Sequence, residues 1–336
     1  MLVVALALAV ALALATSACG STVPAGGHQA ATTSARPAGT TSASPTPGLP
    51  VTTDPAGGNQ PAGGYQPAGA YQPSAARPCG VSRRPPAVYR HVVWIVMENR
   101  SFGQVVGSKS APYLQSLASA CGLATNYSGV AHPSLPNYIA LTSGSTQGIS
   151  NDNGPSANPV RAPSLFSLLG SGWRSLEESM RSNCAASSSG NYAVKHNPAA
   201  YYTGLARACD RQDIPLGSRP DISARFTFIT PNLCHDMHDC STAAGDRWLA
   251  TVVPQILDSP AYRGGATALF ITWDENDAGG RRVPTYVVAP SVPSGARSAV
   301  AFDHYSLLRT TEELLGLHPL LGAAATAADM RAPFGL

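Results

Sequence analysis

Charge is scarce in this chain. Of 336 residues, 22 are Lys or Arg and 19 are Asp or Glu, 12% in all, for a net charge of +3. No clustered basic face of the kind nucleic acid requires can be read from it, so a nucleic-acid partner is excluded and an acidic substrate must be handled by a local site. Histidine is sparse too, at eight residues. No Cys-x-x-Cys pair occurs anywhere, which argues against a thiolate metal site. Only one apolar run is long, 2–18 (LVVALALAVALALATSA). It is short for a membrane span and about right for the apolar core of an export signal, assigned to 1–18.

The basic segment that usually precedes such a run is missing, so a start upstream of Met1 stays open. Cys19 follows directly, where bacterial lipoproteins are cleaved and lipidated. Thr16 stands where Leu is usual three residues earlier. Membrane attachment through lipidated Cys19 is the expectation; plain secretion with Cys19 discarded is the alternative. Six cysteines remain: Cys79, Cys121, Cys184, Cys209, Cys234 and Cys240. An even set in an exported chain predicts disulfides. Sequential pairing is expected, with Cys234 and Cys240 closing a small loop.

Residues 19–86 read as a linker after that Cys. From Gly20 to Ala76 the only formally charged residues are Arg36 and Asp54, and a degenerate Pro/Ala/Gly/Gln/Tyr repeat runs from Pro55 to Pro73. Such a segment buries too little apolar surface to offset its ordering entropy, so a disordered stalk is expected. From 87 to 336 the texture is that of one catalytic domain. His91–Met97, Arg225–Thr230, Thr267–Trp273 and Pro284–Ala289 are apolar runs of buried-strand type. Helical stretches alternate with them: APYLQSLAS, SLFSLLG, GDRWLATVVPQIL and DHYSLLRTTEELLG. The alternation predicts an α/β fold with a mainly parallel central sheet and helices on both faces, its site at the carboxyl ends of the strands.

Polar clusters sit at those ends. His91–Met97 runs into Glu98, Asn99, Arg100, Ser101 and Phe102. Arg225–Thr230 runs into a segment holding His235, Asp236, His238 and Asp239. Thr267–Trp273 runs into Asp274, Glu275, Asn276 and Asp277, and Asp303 and His304 open the last long helix. Close carboxylates repel unless a cation neutralises them, and carboxylate, amide and imidazole are ordinary ligands of a divalent metal. Any single acid after a strand is more often a helix cap, the role expected for Asp303. A lone His28, His91 or His318 reads as surface or core. Ser134, in His132-Pro133-Ser134-Leu135-Pro136-Asn137-Tyr138, falls at a helix start, with Pro136 tolerated in the first turn. Free N–H groups there suit a phosphate, although an ordinary capping serine would read the same way.

PSLPNYIALTSG resembles the Ser/Thr-x-Pro-Asn nucleophile motif of the alkaline phosphatase superfamily. MENRSF, HPSLPNY, KHNP, PNLCHDMHDC, TWDE and DHYSLLRT, in that order, are similar to one branch of it, the bacterial phosphoesterase family of secreted acid phosphatases and phospholipase-C-type enzymes. The resemblance covers about Tyr89 to Leu317. It implies an alkaline-phosphatase-like fold and hydrolysis through a phosphoserine on Ser134. Asn137 would donate to a phosphate oxygen, and His196 of KHNP would contact phosphate or protonate the leaving group, with a structural role as the alternative. Either His196 or His304 would serve as general acid. Glu98, Asn99, Asp236, His238, Asp274, Glu275 and His304 would bind the metal, for which zinc and calcium are candidates. Asp274-Glu275 stands where relatives often carry Asp-His, and the shortage of His against many carboxylates leaves metal identity and number open; between His235 and His238 the inward residue stays open, with His238 preferred. A monomer acting on a small phosphorylated substrate is expected, a phosphomonoester such as a phosphoinositide. A phospholipase C acting on diesters and an inactive anion- or wall-binding lipoprotein are the alternatives.

Overall fold

A computed structural model describes residues 72–277 and 281–336. The expected export signal, Cys19 and most of the expected linker lie outside the described residues. The part of the linker that is described, 72–86, is tied to the domain. Cys79 is bonded to Cys121, Tyr262 donates its hydroxyl to Pro78 O at 2.6 Å, and Gly80 N donates to Val292 O.

Among the described residues nine strands form one sheet: β1 (His91–Met97), β2 (Gly122–Ser128), β3 (Trp173–Glu177), β4 (Asp213–Pro215), β5 (Phe226–Thr230), β6 (Thr267–Trp273), β7 (Arg282–Val288), β8 (Arg297–Ser298) and β9 (Phe302–Asp303). Their order is β4-β3-β5-β1-β6-β7-β2-β8, with β9 also beside β2. Every pairing is parallel except those of β7, which is antiparallel to both β6 and β2. The reason is chain length. Only 274–281 separates β6 from β7, too few residues for a crossover connection, so the chain must turn back. The expected mainly parallel α/β sheet is what forms, with this one reversed strand.

β1, β5 and β6 lie at the centre. All seven residues of β6 and all five of β5 are buried, which is why their sequences are apolar without alternation. Each fully buried Val, Leu, Ile or Phe contributes roughly 1.5–3 kcal/mol. Trp94 of β1 packs edge-on against Phe226 at 4.8 Å and donates its indole N–H to Thr311 Oγ1, fastening helix His304–Leu314 to the sheet. That helix packs against helix Ser134–Ser143, and helix Pro112–Ala120 packs against Thr242–Leu257. Asp303 caps His304–Leu314 as expected, accepting from Ser306 N at 2.9 Å. Among the described residues three disulfides form, Cys79–Cys121, Cys184–Cys209 and Cys234–Cys240, the sequential set. Among the described residues no helix is long and apolar enough to cross a membrane.

Candidate active site

The parallel strands deliver their carboxyl ends to one edge of the sheet. Glu98 follows β1, Asp236 lies in the loop after β5, Asp274 follows β6, and the loop after β2 leads to Ser134. Register fixes two of these neighbours: Met97 of β1 is paired with Trp273 of β6, so Glu98 and Asp274 leave adjacent strands together. Asp274 N donates to Met97 O, and Glu98 N to Asp236 O. Gly129, just past β2, has to be glycine for this approach. A Cβ there would meet Asp274 O at 2.7 Å.

Ser134 occupies the first position of helix Ser134–Ser143, and Pro133 is the cap. Its hydroxyl donates to Glu98 Oε2 at 3.0 Å and lies close enough to Asp274 and Glu275 to favour their charged forms. Tyr138, one helical turn on, donates to Glu98 Oε1 at 2.5 Å. Burial first, then repulsion from Asp274 and Asp236, pushes the Glu98 carboxyl well above the usual range. Asp274 is raised by burial and then by Glu275, against backbone N–H groups that favour its charge. Asp236 is pushed up to about 7 by burial, although His238 N donates to it. Glu275 is also pushed up to about 7, by burial and then by Asp152, and Lys195 opposes the shift. Four buried acids this unwilling to ionise are a site lacking positive charge.

The donor set fits a cation. Asn99 Oδ1 and Asp274 Oδ2 are buried without a hydrogen-bond partner, an expensive arrangement unless a further group satisfies them. Asn99 is held at a φ of 41° to face the cluster, a conformation few non-glycine residues adopt. Glu98, His196 and His238 also present ligand atoms within 4.8 Å of one another. The oxygens of Glu98, Asn99, Asp274 and Glu275 form a hard-donor set.

The remaining expected residues have other surroundings. His196 is buried between two carboxylates, Nε2 at 3.3 Å from Glu98 Oε1 and Nδ1 at 3.3 Å from Asp236 Oδ2, and stacks on Tyr138. Burial, then the charges of Lys195 and His238, pulls its pKa well below the ordinary value. With 1% of its side chain exposed and both ring nitrogens facing buried carboxyls, its surroundings favour the structural alternative. His304 is held likewise. Its Nε2 donates to Asp274 O at 2.6 Å and its Nδ1 accepts from Tyr127, so both nitrogens are engaged, and burial lowers its pKa to about 4. In this arrangement it positions the Asp274 backbone. Asn137 differs too. Its Oδ1 accepts from Val130 N and Ala131 N, and its Nδ2 donates to Ala131 O and Pro133 O. It braces the loop leading to Ser134 instead of pointing a donor at a phosphate. Of the two neighbouring histidines, His238 faces the site, 5.7 Å from His196 between ring centres, whereas His235 is bound to Glu178 and stacked on Trp248.

Three further residues join the candidate site. His132 Nδ1 is paired with Glu275 Oε2. Lys195 Nζ lies 3.1 Å from Asp152 Oδ2 and 3.3 Å from His238 Nε2. Asp152 Oδ1 accepts from Leu135 N at 2.9 Å. Lys195 and His132 stood inside motifs already in view, in KHNP and HPSLPNY. Asp152 lies in the irregular segment 144–164 and carried no signal.

Comparison with known proteins decides the family. The family model described as "Phosphoesterase family" matches residues 108–318. A phosphatidylinositol-3-phosphatase of Mycobacterium tuberculosis is 32% identical over 262 residues, 74% of this chain and 84% of that protein. The chain belongs to the phosphoesterase family. It is therefore an enzyme, a hydrolase of phosphoric esters. A phosphate-repressible acid phosphatase of Penicillium chrysogenum is 27% identical over 72% of this chain, and an acid phosphatase of Aspergillus fumigatus is 26% identical over 68%. The phosphoesterase spans 62% and 55% of the length of these fungal relatives. Among solved structures, a Vibrio parahaemolyticus protein in the alkaline phosphatase superfamily superposes with a TM-score of 0.51 at 11% identity, covering 77% of this chain and 71% of that one. A lipoteichoic acid synthase of Listeria monocytogenes gives 0.52 at 11% identity, covering 71% and 76%. These share the fold of this chain.

Proposed function

We propose that this phosphoesterase is an exported, metal-dependent phosphomonoesterase of acid-phosphatase type that works through a phosphoserine on Ser134. The observation that carries the reading is the Ser134 hydroxyl, set on a helix start 3.0 Å from Glu98 and against Asp274 and Glu275. The names of the relatives, a phosphoinositide phosphatase and acid phosphatases, support the monoester class.

Glu98, Asn99, Asp274 and Glu275 would hold the cation, and their oxygen donors suit a hard ion such as calcium better than zinc. When bound, it would neutralise these acids and stabilise charge on the serine oxygen and the phosphoryl group. The chain's own residues do the rest. Glu98 orients the Ser134 hydroxyl for in-line attack and accepts its proton. The helix start presents N–H groups to the phosphoryl oxygens. His132, half-exposed and held at Nδ1 by Glu275, gives the departing alcohol its proton and then activates the water that cleaves the phosphoserine. Tyr138, His196 and Asp236 brace Glu98, and His304 braces Asp274. The three disulfides suit an oxidising compartment, and Cys19 would anchor the chain through lipid.

The substrate class is tested with purified protein on p-nitrophenyl phosphate, bis-p-nitrophenyl phosphate, a phosphoinositide and phosphatidylcholine across pH. Monoesters should be preferred. Preference for phosphatidylcholine would replace the monoesterase with a phospholipase C.

A further inference from the structure

Two donors beside Ser134 suit a phosphoryl group, and both are given to one carboxylate. The first is the N–H of Leu135, the residue after Ser134, one of the groups a helix start leaves without an internal partner. Pro133 at the cap supplies no side-chain acceptor. The second is the ammonium of Lys195, one of only two lysines in the chain, the other being Lys109. Its charge bears on Glu98, Asp236 and Glu275. Burial works against that charge, yet Glu98, Asp152 and Asp274 outweigh it and hold the Lys195 pKa above the ordinary value. Arg100, the basic residue after β1, spends its guanidinium on Asn99 O, Cys240 O and Thr242 Oγ1. Asp152 takes the Leu135 N–H with Oδ1 at 2.9 Å and Lys195 Nζ with Oδ2 at 3.1 Å. A carboxylate spanning an N–H and an ammonium is placed as two oxygens of a bound phosphoryl group would be.

We infer that the Leu135 N–H and Lys195 Nζ are the seat of the phosphoryl oxygens, and that Asp152 fills this seat until phosphate displaces it. The inference rests on Ser134 as the reacting residue for its location. Exposure fits the exchange. Ser134 is covered, at 1%, whereas the side chains of Lys195 and Asp152 are 21% and 29% exposed. The backbone around Asp152 is pinned. Asn153 N and Asn158 Nδ2 donate to Asn151 Oδ1, and Tyr201 and Asn158 Nδ2 donate to Asn153 O. Release thus needs rotation of the Asp152 side chain and no unfolding of its loop. The exchange also removes a repulsion, because a dianionic ester cannot share two donors with a fixed carboxylate.

The test is binding of inorganic phosphate to the full chain by calorimetry, with the fold of each variant checked by its melting transition. Lys195→Met should weaken binding by about 100-fold, as expected for loss of a close, partly buried charge pair. Asp152→Ala should tighten it by about tenfold, and Asp152→Asn should move in the same direction while keeping an oxygen for the Leu135 N–H. An ion pair that merely held the site together would shift both partners the same way. Weaker or unchanged phosphate binding in both Asp152 variants would overturn the inference. No bond is made or broken in this measurement, so its failure is distinct from a failure of Ser134 as nucleophile, which would show in turnover and leave the opposite-sign pattern intact.

Discussion

The Ser134 hydroxyl donates to Glu98 Oε2 at 3.0 Å, joining the first residue of a helix to the end of the strand at the sheet's centre. Tyr138 occupies the other Glu98 oxygen from one turn further along the same helix, so sheet and helix fix the carboxylate between them. A buried acid held this way, its pKa well above the usual range through burial and neighbouring Asp274 and Asp236, costs stability in the metal-free protein.

Glu98→Gln should therefore separate activity from stability. The amide keeps the shape and removes the charge. Turnover of p-nitrophenyl phosphate should fall by about 1000-fold or more. The melting temperature in chelator at pH 7.5 should stay level or rise. A large fall in melting temperature would mean that Glu98 is structural first.

Metal removal should act through Asp274 and its neighbours. Chelator should lower both activity and melting temperature, and calcium should restore both, since an ion that binds only the native state stabilises it. Asp274→Asn should respond to neither. Elemental analysis of wild type and variant gives the reading without turnover. Full activity in strong chelator would contradict it.

The sheet was legible where burial is complete. β1, β5 and β6 are apolar on both faces and stand out as runs, and acids of the candidate site follow them. β2 and β3 did not stand out. Gly122–Ser128 carries Gly, Thr, Asn and Ser, and Trp173–Glu177 carries Arg and Glu, although most of their residues are buried. Their strand character comes from their neighbours in the sheet and not from their own pattern. Glu177 illustrates the difficulty, since a charged residue with no exposure is not read as core from sequence. The site was legible as residue types at strand ends. The roles of His196, His304 and Asn137 were not, because they depend on which atoms face which, and Asp152 comes from a loop no periodicity marks.

A second buried pair lies off the site. Asp213 is pushed up to about 7 by burial, with Asn197 Nδ2 donating to it and opposing the shift. Glu177 is raised well above its usual value by burial and by Asp213. Both folded pKa values lie above the unfolded ones, near 3.8 and 4.5. The stability Asp213 contributes is present below about pH 4 and is lost as pH rises through about 7, and Glu177 acts in the same direction. Asp213→Asn should thus raise stability at pH 8 by on the order of 3 kcal/mol more than at pH 4.5. Urea unfolding at the two pH values measures this, and equal effects at both would contradict it.

The Cys234–Cys240 bond closes the loop that carries Asp236 and His238. Replacing both cysteines by serine should cost about 2 kcal/mol, small because the loop is short. The loss in kcat should exceed what that destabilisation explains, since Asp236 O receives Glu98 N. Comparing kcat with melting temperature in the double variant checks this; unchanged kcat would detach the loop from the site.

The central claim is covalent chemistry at Ser134, and the direct measurement is mass spectrometry of the protein quenched in acid during turnover of a phosphomonoester. The account predicts a phosphate, 80 Da on the order of one group per chain, on the peptide containing Ser134, absent from Ser134→Ala, which should also be inactive while still holding metal. A Ser134→Ala protein that turns over substrate at near-normal rate, with no phosphopeptide in wild type, would contradict it.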